Sequence, residues 1–309
     1  MTANLLPASD EGSRWERAVS AFLAEKRRRS GSTRTPEGYR RLLRDLLGST
    51  GKTPDQLSSQ EVFAWAYGVG RSGRPPSANT VGARITCVSS FYRFLIRMGA
   101  LRANPCDALD RPKATPSTPR GLSAEEVQHL LTVITETPVG LRDRAIVLTL
   151  VLTGRRRAEV LSLTAGDLAH EGAAVFYRYR GKGGKRGRRE LPLPAFQAIQ
   201  RALAAWGKRL EVMGGGESLW PGNGRSGITS GTFYGHLQGY LAAAGLPPAG
   251  VHIFRHTAAK LRRNAGASVE EVSQFLDHTN LAVTSVYLQR LEGQTDARWG
   301  SVARALGLS

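Results

Sequence analysis

The sequence predicts a mainly α chain in two parts: an all-helical N-terminal domain and a mixed α/β, mostly helical second domain with a small β-sheet. Three observations predict this. Apolar residues recur every three or four positions through most of 13–110 and again after 122, the period of a helix with one buried face. A stretch near 174–193 instead reads as two strands around a glycine-rich tip. Between the two parts, residues 111–121 are too rich in proline, which lacks the amide donor, to form a helix or a central strand. With 309 residues, either part can bury its own core.

Residues 1–12 read as a tail. They show no basic stretch followed by an apolar run, so no secretory signal is expected. The first helix carries Trp15, Val19, Phe22 and Leu23 on one face and ends in Lys26–Arg29. The second has Tyr39, Leu42, Leu43 and Leu46 as its stripe, with Arg40, Arg41 and Arg44 beside it. Ser58 and Glu61 form a capping box ahead of Val62, Phe63 and Trp65. After a turn at 70–76, a fourth helix follows the stripe Val81, Ile85, Val88, Tyr92 and Leu95. Any single arginine on these helices reads as a solvated side chain. Together, Arg27, Arg28, Arg40, Arg41 and Arg44 point to a face that meets a polyanion.

The second domain, 122–309, opens at a further capping box, Ser123 to Glu126. The apolar run 145–152 is too short to cross a bilayer and reads as a buried core helix. Gly154 breaks it, and a new helix places Arg156 and Glu159 one turn apart, where a carboxylate can hold a guanidinium. Arg155 and Arg157 point elsewhere and read as solvated. Residues 174–180 and 189–193 read as strands, and 181–187 as the tip between them, a basic arm whose Lys182 can reach into a groove and whose Lys185 and Arg186 are candidate contacts to a polyanion. Helices are expected at 195–210 and near 230–244, and an amphipathic tail helix at 296–308.

The net charge of +18 calls for a polyanionic partner, most simply nucleic acid. Two cysteines, Cys87 and Cys106, give no disulfide framework and suit a reducing compartment. Within this cationic chain the chemistry concentrates near the C-terminus. If His252 opens a helical turn, Arg255 and His256 fall on the same face, a cluster suited to holding a phosphate. His278 and Tyr287 follow, nine residues apart. His252 and His256 have the spacing of a zinc helix, but Ile253 and Phe254 stand where its general-base glutamate would be, so no metal is expected. No phosphate-binding glycine loop or zinc-ligand spacing calls for a cofactor.

In this order, the motifs resemble the tyrosine recombinases of the phage-integrase and Xer type, over residues 13 to about 290. The resemblance rests on Thr-Gly-x-Arg-x-x-Glu at 153–159, Gly-Lys-Gly-x-Lys at 181–185 with Leu-Pro-Leu behind it, His-x-x-Arg-His-Thr at 252–257, and the His278–Tyr287 spacing. It implies an active site of Arg156, Glu159, Lys182, His252, Arg255, His278 and Tyr287, with Tyr287 as nucleophile. It further implies a helical core-binding (SAM-like) clamp at 13–110, a catalytic domain at 122–309, and a 3′-phosphotyrosyl intermediate without metal or ATP. The partner would be double-stranded DNA, bound by a homotetramer, or a hetero-tetramer with a paralogue, on two sites through a Holliday junction. A cytoplasmic, nucleoid-associated protein is implied. Three positions depart from the family pattern: Arg155 where an apolar residue is usual, Phe254 for leucine, and Asp277 for the glycine before His278. Asp is among the residues that best tolerate the left-handed turn such a glycine serves. A type IB topoisomerase and a non-catalytic DNA-binding relative are the alternatives.

Overall fold

The computed structural model describes residues 11–31, 34–70, 73–113, 120–181, 184, 186–222 and 227–277. Residues 1–10, most of the proline-rich segment and everything from 278 onward, including the expected tail helix at 296–308, lie outside them. Among the described residues the chain is mainly α, with one small three-stranded sheet, and it divides into two compact units, with the main boundary in sequence between Ser117 and Thr118.

The first unit contains α1 (Glu11–Ser30), α2 (Arg34–Thr50), α3 (Ser59–Tyr67) and α4 (Ala78–Arg97). Its core is built from the expected stripes. Phe22, Leu43, Leu46, Val81, Ile85, Val88, Tyr92 and Leu95 are all buried, and α4 touches each of the other three helices. The Phe22 ring meets Tyr39, Phe91 and Phe94 at 5.3–5.6 Å, which knits α1, α2 and α4 together. The Ser58–Glu61 capping box forms. The other end of α3 is closed by Arg84, whose Nη1 donates to the carbonyls of Trp65, Ala66 and Gly68 at 2.9–3.0 Å. Of the apolar residues behind the Ser58–Glu61 box, Val62 turns inward, while Phe63 is exposed and stacks on Tyr67.

The second unit is arranged around α6 (Pro138–Thr153). Ala145, Ile146, Val147 and Leu150 are buried on every side, as expected of a core helix, and each large apolar chain there contributes about 1.5–3 kcal/mol. Around it lie α5 (Ala124–Val133), α7 (Arg157–Leu161), α8 (Leu193–Ala205), α9 (Ser230–Ala243), α10 (Ile253–Asn264) and α11 (Val269–Phe275). The antiparallel sheet runs β1 (Leu168–Glu171), β2 (Ala174–Arg180), β3 (Arg186–Glu190) in spatial order.

Three local expectations shift. β1 adds a strand too short to show a period. β3 begins three residues before the expected strand, because Gly187 leaves room for the Tyr179 ring, which an added Cβ would meet at 2.3 Å. Pro192 then takes the N-cap of α8, so the helix starts before 195; it ends at Ala205, ahead of Gly207 in the left-handed region.

Candidate active site

Gly154 ends α6 with φ +62°, and its amide donates to Leu150 O at 2.9 Å. The sharp turn leads directly into Arg156, the N-cap of α7. Glu159 is buried, and its carboxylate accepts from the Arg156 amide at 2.9 Å and from Arg156 Nη1 at 3.0 Å. The arginine side chain is about one-third exposed (36%), so its guanidinium is held from inside while remaining open to solvent. Trp220 fixes α7 beneath it, donating its indole N–H to Val160 O at 2.6 Å.

Arg255, on the first turn of α10, is buried. Its Nη1 donates to Gly154 O at 2.8 Å and its Nη2 to Leu276 O at 2.5 Å. Those carbonyls stand two residues before Arg156 and two residues before His278. One guanidinium thus fastens both approaches to the site. His252 caps α10 from an exposed position. Partial desolvation, then the charges of Arg255, Arg156 and Arg157, lower its pKa below the usual imidazole value. The imidazole is therefore neutral near pH 7 and able to accept a proton. His256, perpendicular to it at 4.8 Å between ring centres, is pushed down to about 4 by burial, then by His252 and Arg255. The structure brings Arg156, Glu159, His252 and Arg255 together. Lys182, Lys185, His278 and Tyr287 lie outside the described residues.

Arg155 corrects the expectation of a solvated side chain. It is buried, with 1% exposure, and pairs with the Asp277 carboxylate and the Phe275 carbonyl while stacking on the Tyr179 ring at 4.7 Å. Asp277 also accepts from the Tyr179 hydroxyl and from Arg189 Nη2 at 2.8 Å. Burial, the largest single influence on Asp277, raises its pKa; the hydrogen bonds from Tyr179 and Arg189 and the Arg155 charge outweigh it, and the net shift is downward. At φ +51°, Asp277 is the only non-glycine residue in the left-handed region among the described residues. Sequence spacing gave no hint of this cluster, whose two ends stand 122 positions apart.

The outer face of the hairpin supplies a second set of cations. Arg178 faces Arg188 across the strands and Arg180 faces Arg186, while Tyr177 and Tyr179 alternate into the core. All four arginines are exposed and line a cleft of about 430 Å³. Like charges directly opposite one another destabilise a sheet, so such a face is suited to an anionic ligand. Two of the four are also held locally: Arg178 donates to Gly166 O at 2.5 Å, and Arg188 pairs with Glu171 and covers the Phe176 ring at 4.1 Å. Of this set only Arg186 was anticipated; the period-two alternation of β2 was the available signal for Arg178 and Arg180. In the first unit, Arg27 and Arg28 end α1 and Arg40, Arg41 and Arg44 lie along α2, all exposed.

A neutral imidazole beside one carboxylate-held and one buried guanidinium makes a site suited to a phosphodiester. Residues 120–293 match the model of the phage integrase family. The chain is 31% identical over 290 residues to the tyrosine recombinase XerD of Rhizobium meliloti (strain 1021), covering 89% of this chain and 91% of that one. It is 31% identical over 274 residues to the tyrosine recombinase XerC of Alcanivorax borkumensis, covering 86% and 85%. In fold it is similar to a lambda integrase fragment bound as a dimer to a core site, with a TM-score of 0.68, 17% identity, and 91% and 97% of the two chains covered. The chain belongs to the phage integrase family of tyrosine recombinases, enzymes that cut and rejoin DNA at specific sites. These likenesses favour neither a topoisomerase nor a non-catalytic relative.

Proposed function

We propose that this chain is a Xer-like recombinase in which Tyr287 attacks a phosphodiester held by Arg156 and Arg255. The observation that carries the reading is the pair of hydrogen bonds that Arg255 donates to Gly154 O and Leu276 O, which ties the Arg156 turn to the approach to His278. In this reading the Tyr287 oxygen forms a bond to phosphorus as the bond to the 5′ oxygen breaks. Its proton passes to His252, whose lowered pKa keeps it neutral beforehand. Lys182 returns a proton to the departing oxygen. Arg156, Arg255 and His278 donate to the non-bridging oxygens as charge accumulates there, and Glu159 holds Arg156 in place. The product is a 3′-phosphotyrosyl ester. Attack by a 5′ hydroxyl reverses the step, and the retained ester bond means that rejoining consumes no nucleotide.

Residues 13–110 serve as the DNA clamp, 111–121 as the connector and 122–309 as the catalytic domain. Arg27, Arg28, Arg40, Arg41 and Arg44 contact the duplex from the first, and Lys185 and Arg186, joined by Arg178, Arg180 and Arg188, from the second. A tetramer on two sites, passing through a Holliday junction, is supported by the tetramer on a Holliday junction seen for lambda integrase. The setting is the cytoplasmic nucleoid.

The test starts from DNA recovered on covalently trapped wild-type protein and sequenced. A supercoiled plasmid bearing two copies of the recovered site should resolve into two circles, and a plasmid without the site should remain supercoiled. Relaxation of both plasmids without resolution would contradict the reading and favour a topoisomerase.

A further inference from the structure

Three consecutive carbonyls at the C-terminal end of α11 are each held by a different arginine. Arg189 Nη2 donates to Gln274 O at 3.1 Å, Arg155 to Phe275 O, and Arg255 Nη2 to Leu276 O at 2.5 Å. The last carbonyls of a helix have no partner within it and carry the negative end of its dipole, so cations are favoured there. The three arginines come from β3, from the α6–α7 turn and from α10. Immediately after these carbonyls, Asp277 reverses the chain in a left-handed conformation that costs a non-glycine residue about 1 kcal/mol or more. Glycine would take that conformation freely. A residue kept in a costly conformation needs surroundings that over-determine it, and Asp277 has them in Arg155, Arg189 and Tyr179. Two departures from the family pattern, Arg155 and Asp277, thus meet in one ion pair.

We propose that Asp277, clamped by Arg155 and Arg189, is a positioning residue that fixes the direction in which the chain leaves α11 toward His278 and Tyr287. This rests on the reading that those two residues take part in cleavage. Among the described residues Asp277 bonds to Arg155, Tyr179 and Arg189, none of which is assigned to the phosphate. It acts by tying the start of the segment to three separate elements of the catalytic unit, so that the nucleophile meets the Arg156–Arg255 pair without a search through other orientations. The buried Arg155 guanidinium is the half of the pair that cannot turn to solvent, which makes the carboxylate its necessary counterpart.

The test is covalent adduct formation on a nicked duplex carrying the recovered site, with DNA affinity measured in parallel. Asp277→Asn and Asp277→Gly both accept the left-handed turn but lack the carboxylate charge. Each should bind DNA within about twofold of wild type and form adduct on the order of tenfold to a hundredfold more slowly, the range a small misplacement of a reacting group produces. Arg155→Met combined with Asp277→Gly should be no slower than the slower of the two single variants, since the pair acts as a unit. Should Arg155→Met fail to fold, the two Asp277 variants decide alone. Adduct formation at the wild-type rate in both Asp277 variants would overturn the proposal. So would a loss of DNA affinity as large as the loss of rate, which would mark a purely structural role. A wild-type chain that forms no adduct at all sinks the proposed function, and this inference with it.

Discussion

The turn at Gly154 delivers Arg156 to the site, and its rigidity can be measured against an internal control. Gly154 has φ +62°, and an added Cβ would lie 2.4 Å from Phe275 Cε1 and 3.0 Å from Leu276 Cδ2. The Phe275 ring has little room to retreat, because the Arg262 guanidinium covers it at 3.3 Å. Gly172, in the β1–β2 turn, has φ +58° and nothing within 4 Å of the same added atom. Gly172→Ala therefore carries the backbone cost alone, about 1–2 kcal/mol. Gly154→Ala carries that cost plus overpacking of about 1–3 kcal/mol. In a unit of this size each kcal/mol lowers the melting temperature by roughly 2–4 °C. Thermal unfolding should thus place Gly154→Ala below Gly172→Ala by about 2–12 °C, from the overpacking difference alone. Adduct formation should slow only in the Gly154 variant, since the displaced turn carries Arg156. Equal melting temperatures would refute the claim that Phe275 and Leu276 are packed tightly against this turn.

Three further outcomes follow from other parts of the catalytic unit. The fully buried Asp143 carboxylate accepts from Arg142 Nε at 2.9 Å and Tyr240 Oη at 2.9 Å, and lies 2.7 Å from His236 Nδ1. Asp143→Ala strands the buried Arg142 charge and should cost about 3–5 kcal/mol in urea unfolding; a loss under about 1 kcal/mol would show that the cluster is not a unit. His256 has a folded pKa of about 4, below its ordinary 6.5, so between those values the unfolded chain binds more protons. Stability should fall as pH drops through that window, and His256→Gln should flatten the fall; an unchanged profile contradicts the assignment. Arg178→Ala with Arg180→Ala should lower the slope of log affinity for DNA against log salt by about two, if each arginine meets one phosphate. A slope equal to wild type would remove the outer hairpin face from the DNA interface.

The helices were legible where burial is one-sided and the period is long enough to see. The α4 stripe at Val81, Ile85, Val88, Tyr92 and Leu95 is the clearest case, and all five side chains are buried. Capping boxes marked the starts of α3 and α5, and the same pattern at Ser268 and Glu271 begins α11, a signal present in the sequence but not used. The strands were harder to read. β1 has four residues, too few for alternation, and β3 begins in a glycine-rich stretch whose role emerges only when the Tyr179 ring lies over Gly187. At the candidate site, the Arg156–Glu159 pair is local and can be read from an i, i+3 spacing. The partners of Arg255 are backbone carbonyls, which carry no residue-type signature. The burial of Arg155 depends on a carboxylate reached only through the tertiary fold. A lone arginine in a run of three looks solvated until that partner is placed.

The central claim is that Tyr287 becomes esterified to DNA. The most direct measurement is mass spectrometry of the nucleotide-bearing peptide released from protein trapped on a nicked duplex with the recovered site. The account predicts a single modified peptide, containing Tyr287 linked to a 3′ phosphate, and no adduct from Tyr287→Phe under the same conditions. A modified peptide containing any other residue, or an adduct that persists in Tyr287→Phe, would contradict it.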